Sequence, residues 1–270
     1  MKEQRKSIVV GVVCLIMAGC GSKSTTTSAE IGQNGKGVKA GVATNSSSAT
    51  ANSLVETSTG SGTHSSSGEV MKSAKLSQTP KGLKNAAYDY FGLSGKTTDL
   101  QLKNPQTGII STGSSTAHLI KGNTDSATFL ISRTGQLGSI IGNDTVELTQ
   151  TGVYDIGTTM GVLETKPLEL PSDLHPGKTW QYNVKLKSKN GLIAQSFTQK
   201  VIGTTTLETP AGKMNVLYVK GQGTESLNGI SSQVTAKSYY AKGLGLIQFE
   251  ETLIGKGGKP VSLTIKLLPK

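Results

Sequence analysis

Closely spaced histidines and acids are the first residues in this chain that could carry out chemistry. Asp173 and His175 lie two positions apart before Pro176, an arrangement in which a carboxylate can orient an imidazole. A nucleophilic triad also needs an activated serine or cysteine, and the sequence offers neither a Gly-x-Ser-x-Gly turn nor a free thiol. We interpret the pair as part of a turn before a strand and predict no catalytic residue. His64 and His118 belong to no ligand-spaced cluster, so no metal site and no cofactor is predicted.

Two other patterns resemble functional motifs but have the wrong spacing. Gly-Lys-Thr occurs at 95–97 and 177–179, but a phosphate-binding loop needs an earlier glycine and a following helix, and strands are predicted to follow here. Glu250 and Glu251 are adjacent carboxylates. Neighbouring residues of a strand face opposite sides, so they cannot form one acid–base pair.

The N-terminus has the pattern of an export signal. Basic residues of the segment MKEQRK precede an apolar run at 8–18 that is too short to span a bilayer, which predicts a signal peptide over 1–19. The run ends in Met17-Ala18-Gly19-Cys20, which resembles the lipobox of bacterial lipoproteins, with Met where Leu is commoner. The alternatives are an ordinary signal peptide or an N-terminal transmembrane helix, in which Cys20 is incidental.

The lipobox resemblance implies that Cys20 carries a diacylglyceryl group and an N-acyl chain. Several acyl chains hold a protein on a membrane, whereas a single chain binds only marginally. Gly21 and Ser22 follow the cysteine, and the absence of Asp there favours the outer membrane, or the cell membrane if the organism has only one. Lipidation at Cys20 is the one functional site that the sequence predicts.

Cysteine content and charge exclude several functions. The only other cysteine, Cys14, is removed with the signal peptide, so the mature chain has no disulfide and no cysteine ligand. The formal net charge is +11, but Arg133 is the only arginine after the signal peptide and the lysines are scattered. Nucleic-acid readers use arginine forks and clustered basic faces, so no nucleic-acid partner is predicted. The charge favours anionic lipid or acidic polymer surfaces.

The composition divides the remaining chain into a tether and a folded domain. Residues 20–81 are rich in Ser, Thr and Gly and have no aromatic residue, which predicts a disordered tether after the lipidated cysteine. Residues 82–270 alternate apolar and polar positions between Gly, Asn and Asp turns, which predicts an all-β, antiparallel curled sheet, a half-barrel or a sandwich. The predicted strands are 98–102, 127–132, 145–149, 180–186, 195–202, 214–220, 233–240, 246–252 and 261–267.

Turn sequences and a weak internal repeat add detail to this predicted organisation. The segment 188–191 ends in Asn-Gly and predicts a hairpin, and 255–259 predicts a looser one. The segments 95–103 and 177–185 resemble each other, because each has a turn sequence followed by a strand in which apolar and polar residues alternate. They suggest two similar β halves, 82–166 and 167–270.

The second half resembles exported bacterial proteins of uncharacterised function related to the DUF3108 group. Three landmarks carry the resemblance: a proline-rich entry into the Gly-x-x-Trp strand of Trp180, a Thr-Pro-Ala-Gly turn at 209–212, and an aromatic strand leading into Gly-Leu-Gly-Leu at 243–246. The resemblance implies a curled antiparallel sheet similar to the half-barrels of periplasmic lipoprotein carriers. Trp180 is predicted to fill the core, and the alternative is that it stacks on a ligand.

Three functions remain open from the sequence. The leading hypothesis is a non-enzymatic, membrane-anchored envelope domain for structure or for binding an envelope protein, an acidic polymer or a lipid. The alternative is a carrier or sensor of lipid or another hydrophobic ligand, with a cavity in the curled sheet. A hydrolase of envelope polymers is less favoured. The oligomeric state is left open.

Overall fold

The computed structural model describes residues 78–104, 107–255 and 257–268. Within these ranges, thirteen strands form one antiparallel sheet, with two short helices and a 3-10 turn at Lys81–Leu83. The helices are α1 (Ala86–Phe91) and α2 (Gly135–Ile141). The strands are β1 (Thr98–Lys103), β2 (Ile110–Gly122), β3 (Ser126–Arg133), β4 (Asp144–Thr149), β5 (Gly152–Thr158), β6 (Gly161–Leu163), β7 (Leu168–Pro171), β8 (Thr179–Ser188), β9 (Gly191–Thr209), β10 (Gly212–Leu227), β11 (Ile230–Ala241), β12 (Gly245–Gly255) and β13 (Val261–Leu267).

The sheet closes on itself into a barrel. Its strand order is β4-β3-β2-β1-β13-β12-β11-β10-β9-β8-β6-β5-β7, and β4 also pairs with β5. This last pairing closes a ring of twelve strands, to which β7 is added through β5. The all-β, antiparallel prediction is confirmed, and the predicted curl of the sheet continues to full closure.

The ring is irregular between β5 and β8, a region that we call the seam. Two short strands, β6 and β7, pair with β5 there, but only β6 also pairs with β8. Strand β6 pairs with β8 from Gly161, opposite Ser188, to Leu163, opposite Leu186. After residues 164–167 the chain continues as β7, which pairs with β5. No ladder joins β7 to β8 in the described part of the chain. The side chains of β7 therefore lie beside a gap in the hydrogen-bonded wall.

Two neighbouring hairpins stabilise each other at one end of the barrel. The predicted hairpin at 188–191 is confirmed by the pairing of its end residues. A second hairpin turns through Asn228 and Gly229, whose φ angles are 50° and 82°. Asn228 Oδ1 accepts a hydrogen bond from the Leu192 amide at 3.0 Å, and its Nδ2 donates to the Asn190 carbonyl at 3.2 Å. The asparagine that makes the second turn thus also satisfies backbone groups of the first.

Apolar clusters adjoin the polar interior. One cluster joins Phe129, Trp180 and Val219 with Ala87 of α1, and another lies under Leu137 of α2. A smaller cluster of Val184, Leu186 and Ile193 lies further along β8 and β9. Trp180 is only 8% exposed, as predicted for a core residue. Its indole N–H has no hydrogen-bond partner among the described residues.

All nine predicted strands are present, several of them longer than predicted, and β2, β5, β6 and β7 were not predicted. The looser turn near 255–259 is confirmed, because β12 ends at Gly255 and β13 begins at Val261. Neither helix in the described ranges has the length and apolar character that crossing a bilayer requires. The division into two β halves stays a prediction.

Candidate functional site

The barrel contains three adjoining, partly open cavities rather than a fully packed core. Their volumes are about 170, 190 and 220 Å³. Glu169 lines all three, and Asp155, Tyr182 and Tyr240 each line two. The shared walls make one branched interior space. Because several of its lining groups are ionisable or polar, this space is the candidate functional site.

Asp155 and Glu169 form a carboxyl pair in this space. Glu169 lies at a bulge of β7, since Val153 pairs with Leu170 and Tyr154 pairs with Leu168, which leaves Glu169 without a partner across the ladder. Bulges redirect side chains, and this one lies at the seam of the barrel. Burial raises the pKa of Asp155 well above its ordinary value, and the charge of Glu169 and a side-chain hydrogen bond to it act in the same direction. A hydrogen bond between two carboxyl groups requires that they share a proton.

Arg133 and Asp144 form an ion pair at the same cavity. The distance from Arg133 Nη1 to Asp144 Oδ2 is 2.6 Å, and Nη1 also donates to the Gly142 carbonyl at 2.9 Å. The guanidinium is thereby fixed between the ends of β3 and β4. Its charge lowers the pKa of Asp155, but this effect is the smallest of those acting on that carboxyl. The cavity walls therefore carry more carboxyl groups than this arginine can neutralise.

Tyr182 projects from β8 between the apolar clusters. Burial raises the pKa of its phenol well above the ordinary value, and the charge of Glu169 raises it further. A side-chain hydrogen bond joins the phenol to Glu169, so the phenol is the donor. The phenol of Tyr182 is therefore a neutral hydrogen-bonding group near pH 7.

A second set of polar side chains lies on β9, β10 and β12. Gln195 Nε2 donates to Glu225 Oε2 at 2.6 Å, and both residues are buried. Burial raises the pKa of Glu225 to about 7, although the hydrogen bond from Gln195 opposes this. Burial also raises the pKa of Glu251 well above its ordinary value, and the charge of Glu225 adds to the effect.

Two of these buried carboxyl groups have an unsatisfied oxygen. Glu225 Oε1 and Glu251 Oε2 are inaccessible to solvent and have no hydrogen-bond partner in the described structure. Glu225 is 1% exposed and Glu251 is 2% exposed. Buried polar atoms without partners are uncommon in native proteins, and each one needs an explanation.

Aromatic rings complete the wall of the largest of the three cavities. Tyr182, Phe197, Tyr240 and Phe249 line it together with Glu251. The rings of Tyr182 and Phe197 are 6.1 Å apart between centroids and tilted by 37°. This part of the interior combines ring faces with a buried carboxyl group.

Asp173 and His175 are brought together, but outside this site. His175 Nε2 is 3.4 Å from Asp173 Oδ2, and the side chains are 61% and 58% exposed. Lys178 Nζ also approaches Asp173, at 3.7 Å. The pair lies on the connection between β7 and β8, in agreement with its interpretation as a turn. Neither residue lines the interior cavities.

The other sequence interpretations also have clear outcomes. Glu250 and Glu251 face opposite sides of β12, as predicted, and both Gly-Lys-Thr segments lead into strands. His118 lies exposed on β2. The described residues contain no group of three or more His, Cys, Asp or Glu side chains that could hold a metal ion. Cys20, the export signal and nearly all of the tether lie outside the described residues.

The interior acids were not predicted as a site. For Glu251 a signal existed, because it falls in phase with the inward residues Phe249 and Leu253 of an otherwise apolar strand face. Glu169 gave no such signal. Because Glu169 lies between Leu168 and Leu170, the pattern predicts that it is the solvent-facing residue of an alternating strand.

Similarity to known proteins is found only among solved structures. No protein-family model and no curated protein sequence matches the chain. A protein from Bacteroides fragilis NCTC 9343 that is described as exported and as having a YmcC-like fold is 11% identical, with a TM-score of 0.47, over 67% of this chain and 99% of its own. A protein from Parabacteroides distasonis ATCC 8503 that is described as a lipoprotein is 13% identical, with a TM-score of 0.43, over 67% and 99%.

A third solved structure is the hypothetical lipoprotein YmcC from Escherichia coli (K12). It is 14% identical, with a TM-score of 0.29, over 69% of this chain and 91% of its own. At these identities the likeness concerns the fold alone. The resemblance to the DUF3108 group stays a prediction.

Proposed function

We propose that the chain is an exported lipoprotein, anchored through lipid on Cys20, whose barrel binds a small polar ligand in its interior without chemical turnover. The observation that carries this proposal is the interior space lined by Asp155, Glu169 and Glu251, with an unpartnered carboxyl oxygen on Glu251. A buried acceptor left without a donor costs roughly 1–3 kcal/mol. A ligand that donates a hydrogen bond there recovers part of this cost.

The polarity of the cavity favours a polar ligand over the hydrophobic ligand expected of a lipid carrier. An acyl chain inside the barrel would lie against carboxyl and amide groups and remove their access to water, which is unfavourable without new hydrogen bonds. The three spaces of about 170, 190 and 220 Å³ also suit a small molecule. We therefore propose a small hydrophilic ligand in place of a lipid.

Binding is favoured over hydrolysis by the position of the acids. The Asp155–Glu169 pair could transfer a proton, but the two cavities that both residues line have volumes of only about 170 and 190 Å³, which are small for a segment of an envelope polymer. The exposed Asp173 and His175 have a loose contact of 3.4 Å and high exposure. These features support a domain that holds a molecule.

The ligand proposal can be tested with two substitutions at neighbouring positions of β11. Ala236 is 5% exposed and lines the cavity, whereas Thr235 is exposed on the outer face. The full chain is purified from its own envelope in a nonionic detergent, and released small molecules are identified by mass spectrometry. We expect a polar molecule with the wild type and with Thr235→Leu, and its loss with Ala236→Leu.

A cooperative thermal transition of Ala236→Leu checks that the variant is folded. Recovery of a lipid instead of a polar molecule, lost in the same variant, would support the carrier alternative. Equal recovery from both variants would contradict binding inside the barrel.

The anchor is a separate part of the proposal. The lipobox resemblance supports acylation of Cys20, and Gly21 and Ser22 support the outer membrane, or the cell membrane in an organism with one membrane. Cys20→Ala is expected to abolish labelling of the protein by radioactive palmitate and to remove it from its membrane fraction. Cys14→Ala, within the predicted signal peptide, is the control and should change neither. Labelling that persists in Cys20→Ala would contradict the assignment.

A further inference from the structure

The buried carboxyl group of Glu251 is the strongest indication of the ligand's chemistry. It is 2% exposed, it lines the cavity of about 220 Å³, and its Oε2 has no partner. Glu225 lies close enough for its charge to act on Glu251, and its Oε1 is also unpartnered. Gln195 is the donor to Glu225, at 2.6 Å. The site therefore combines two buried carboxyl groups with a single side-chain donor among the described residues, Gln195.

The surrounding rings restrict the class of cation. Tyr182, Phe197, Tyr240 and Phe249 line the same cavity as Glu251. Ring faces attract organic cations through their quadrupole, and aromatic cages are a recurrent means of binding ammonium groups. A metal ion would need several oxygen ligands at once, and the described residues contain no such cluster.

Resting on the proposed function of a polar ligand inside the barrel, we propose that the ligand is an organic ammonium ion that donates an N–H group to Glu251 and lies among the rings of Tyr182 and Phe249. Glu251 has no hydrogen-bond donor at Oε2 within the described ranges. A primary or secondary ammonium can donate an N–H group once the carboxyl group turns toward the cavity, so it fits better than a quaternary one. An anion is disfavoured because it would face the carboxyl groups of Glu169 and Glu251, which both line this cavity. Burial raises the pKa of Glu251 well above its ordinary value when no cation is bound, and an ammonium ion paired with the carboxylate would lower that pKa again.

The class of ligand can be tested with probes of one size and different charge. The full chain in a nonionic detergent is freed of bound small molecules and titrated by calorimetry with butylammonium, tetramethylammonium, 1-butanol and butyrate. We expect butylammonium to bind at least tenfold more tightly than each of the other three. Glu251→Gln should weaken butylammonium binding at least tenfold, while Glu250→Gln, on the outer face of the same strand, should leave it unchanged.

A second variant separates the rings from the carboxyl group. Phe249→Leu removes one ring and keeps Glu251, and it should weaken butylammonium binding several-fold. Thermal unfolding of each variant checks that it is folded.

The outcomes distinguish this inference from the proposed function. Binding of 1-butanol, butyrate or tetramethylammonium as tight as that of butylammonium would overturn the N–H donor. Unchanged binding in Glu251→Gln would overturn its pairing with the cation. In either case a polar molecule recovered from the wild type and lost in Ala236→Leu would still support the proposed function. Failure of all four probes, together with equal recovery from Ala236→Leu and Thr235→Leu, would contradict both.

Discussion

Glu250 and Glu251 are consecutive in β12, yet their carboxyl groups lie on opposite sides of the barrel wall. Glu250 Oε2 is 3.2 Å from Lys237 Nζ, and the two residues are paired across β11 and β12. Glu251 pairs with Ala236 and is 2% exposed. The two-residue period of a strand therefore gives one residue type two environments, a solvated ion pair and a buried carboxyl. Substituting each in turn isolates the effect of burial.

Glu251→Gln is expected to increase the free energy of unfolding of the empty protein at pH 8 by roughly 1–3 kcal/mol. At that pH the carboxyl is ionised in the unfolded chain, and folding must either bury the charge or take up a proton. Glutamine has a similar shape and no charge. Urea unfolding followed by circular dichroism measures the difference. Glu250→Gln should change stability by less than about 1 kcal/mol, because exposed ion pairs contribute little. A loss of stability in Glu251→Gln would contradict the expectation.

The raised pKa of Glu225 predicts that the stability of the folded protein falls as the pH rises. Its pKa is raised from 4.5 to about 7 in the folded protein, so the native state binds the proton more tightly than the unfolded chain does. The stabilisation from this group is fully present below pH 4.5, is lost as the pH rises to 7, and does not change further above that. The total is roughly 3 kcal/mol.

Unfolding free energies from pH 4.5 to 8 test this expectation. The wild type should lose roughly 3 kcal/mol more than Glu225→Gln across this range. Glu208→Gln is the control, because that side chain is 74% exposed in a surface ion pair with Lys213. Parallel curves for the wild type and Glu225→Gln would show that the carboxyl has an ordinary pKa in the folded state.

The sequence predicts those strands in which large apolar residues alternate with polar ones. In β8, Trp180, Val184 and Leu186 are buried while Gln181 and Lys185 are exposed. Strand β2 is different, because its thirteen residues include many Ser, Thr and Gly and have little alternation. It is positioned by pairing with β1 and β3 on its two sides. Such a strand depends on its neighbours, which a local pattern does not contain.

The interior site depends even more on long-range structure. Asp155 and Glu169 meet because β5 pairs with both β4 and β7 at the seam of a closed ring. The alternation of apolar and polar residues within one strand predicts that one face packs in the core and the other faces water. In a closed barrel with a bulge, a polar residue can instead face an internal cavity. The lipobox resemblance rests on one contiguous motif, whereas the cavities are lined by residues of twelve strands.

Arg133→Gln is expected to destabilise the protein by about 2 kcal/mol, since the ion pair with Asp144 is only partly shielded and breaking a fully buried pair costs more. The loss should grow as the pH rises, because Asp155, whose pKa is raised by burial, then carries more charge without the guanidinium nearby. Thermal unfolding at pH 5 and pH 8 measures both effects. Lys213→Gln, which removes one partner of an ion pair with 73% and 74% exposed side chains, should have little effect at either pH. Equal small effects of the two substitutions would indicate that Arg133 does not offset the interior acids.

Gly92→Ala tests the packing of α1 against the bend between β11 and β12. Gly92 ends α1 with a φ of 78°, and an added Cβ would lie 2.6 Å from the backbone nitrogen of Gly245. The left-handed conformation alone costs roughly 1–2 kcal/mol for a residue with a Cβ, and the contact with backbone atoms adds to it. We expect a loss of at least about 2 kcal/mol in urea unfolding. Gly82→Ala is the matched control, since nothing lies within 4 Å of its added Cβ. Equal stability of the two variants would mean that α1 can move away from the bend without loss, and that the apolar cluster containing Ala87 does not depend on this contact.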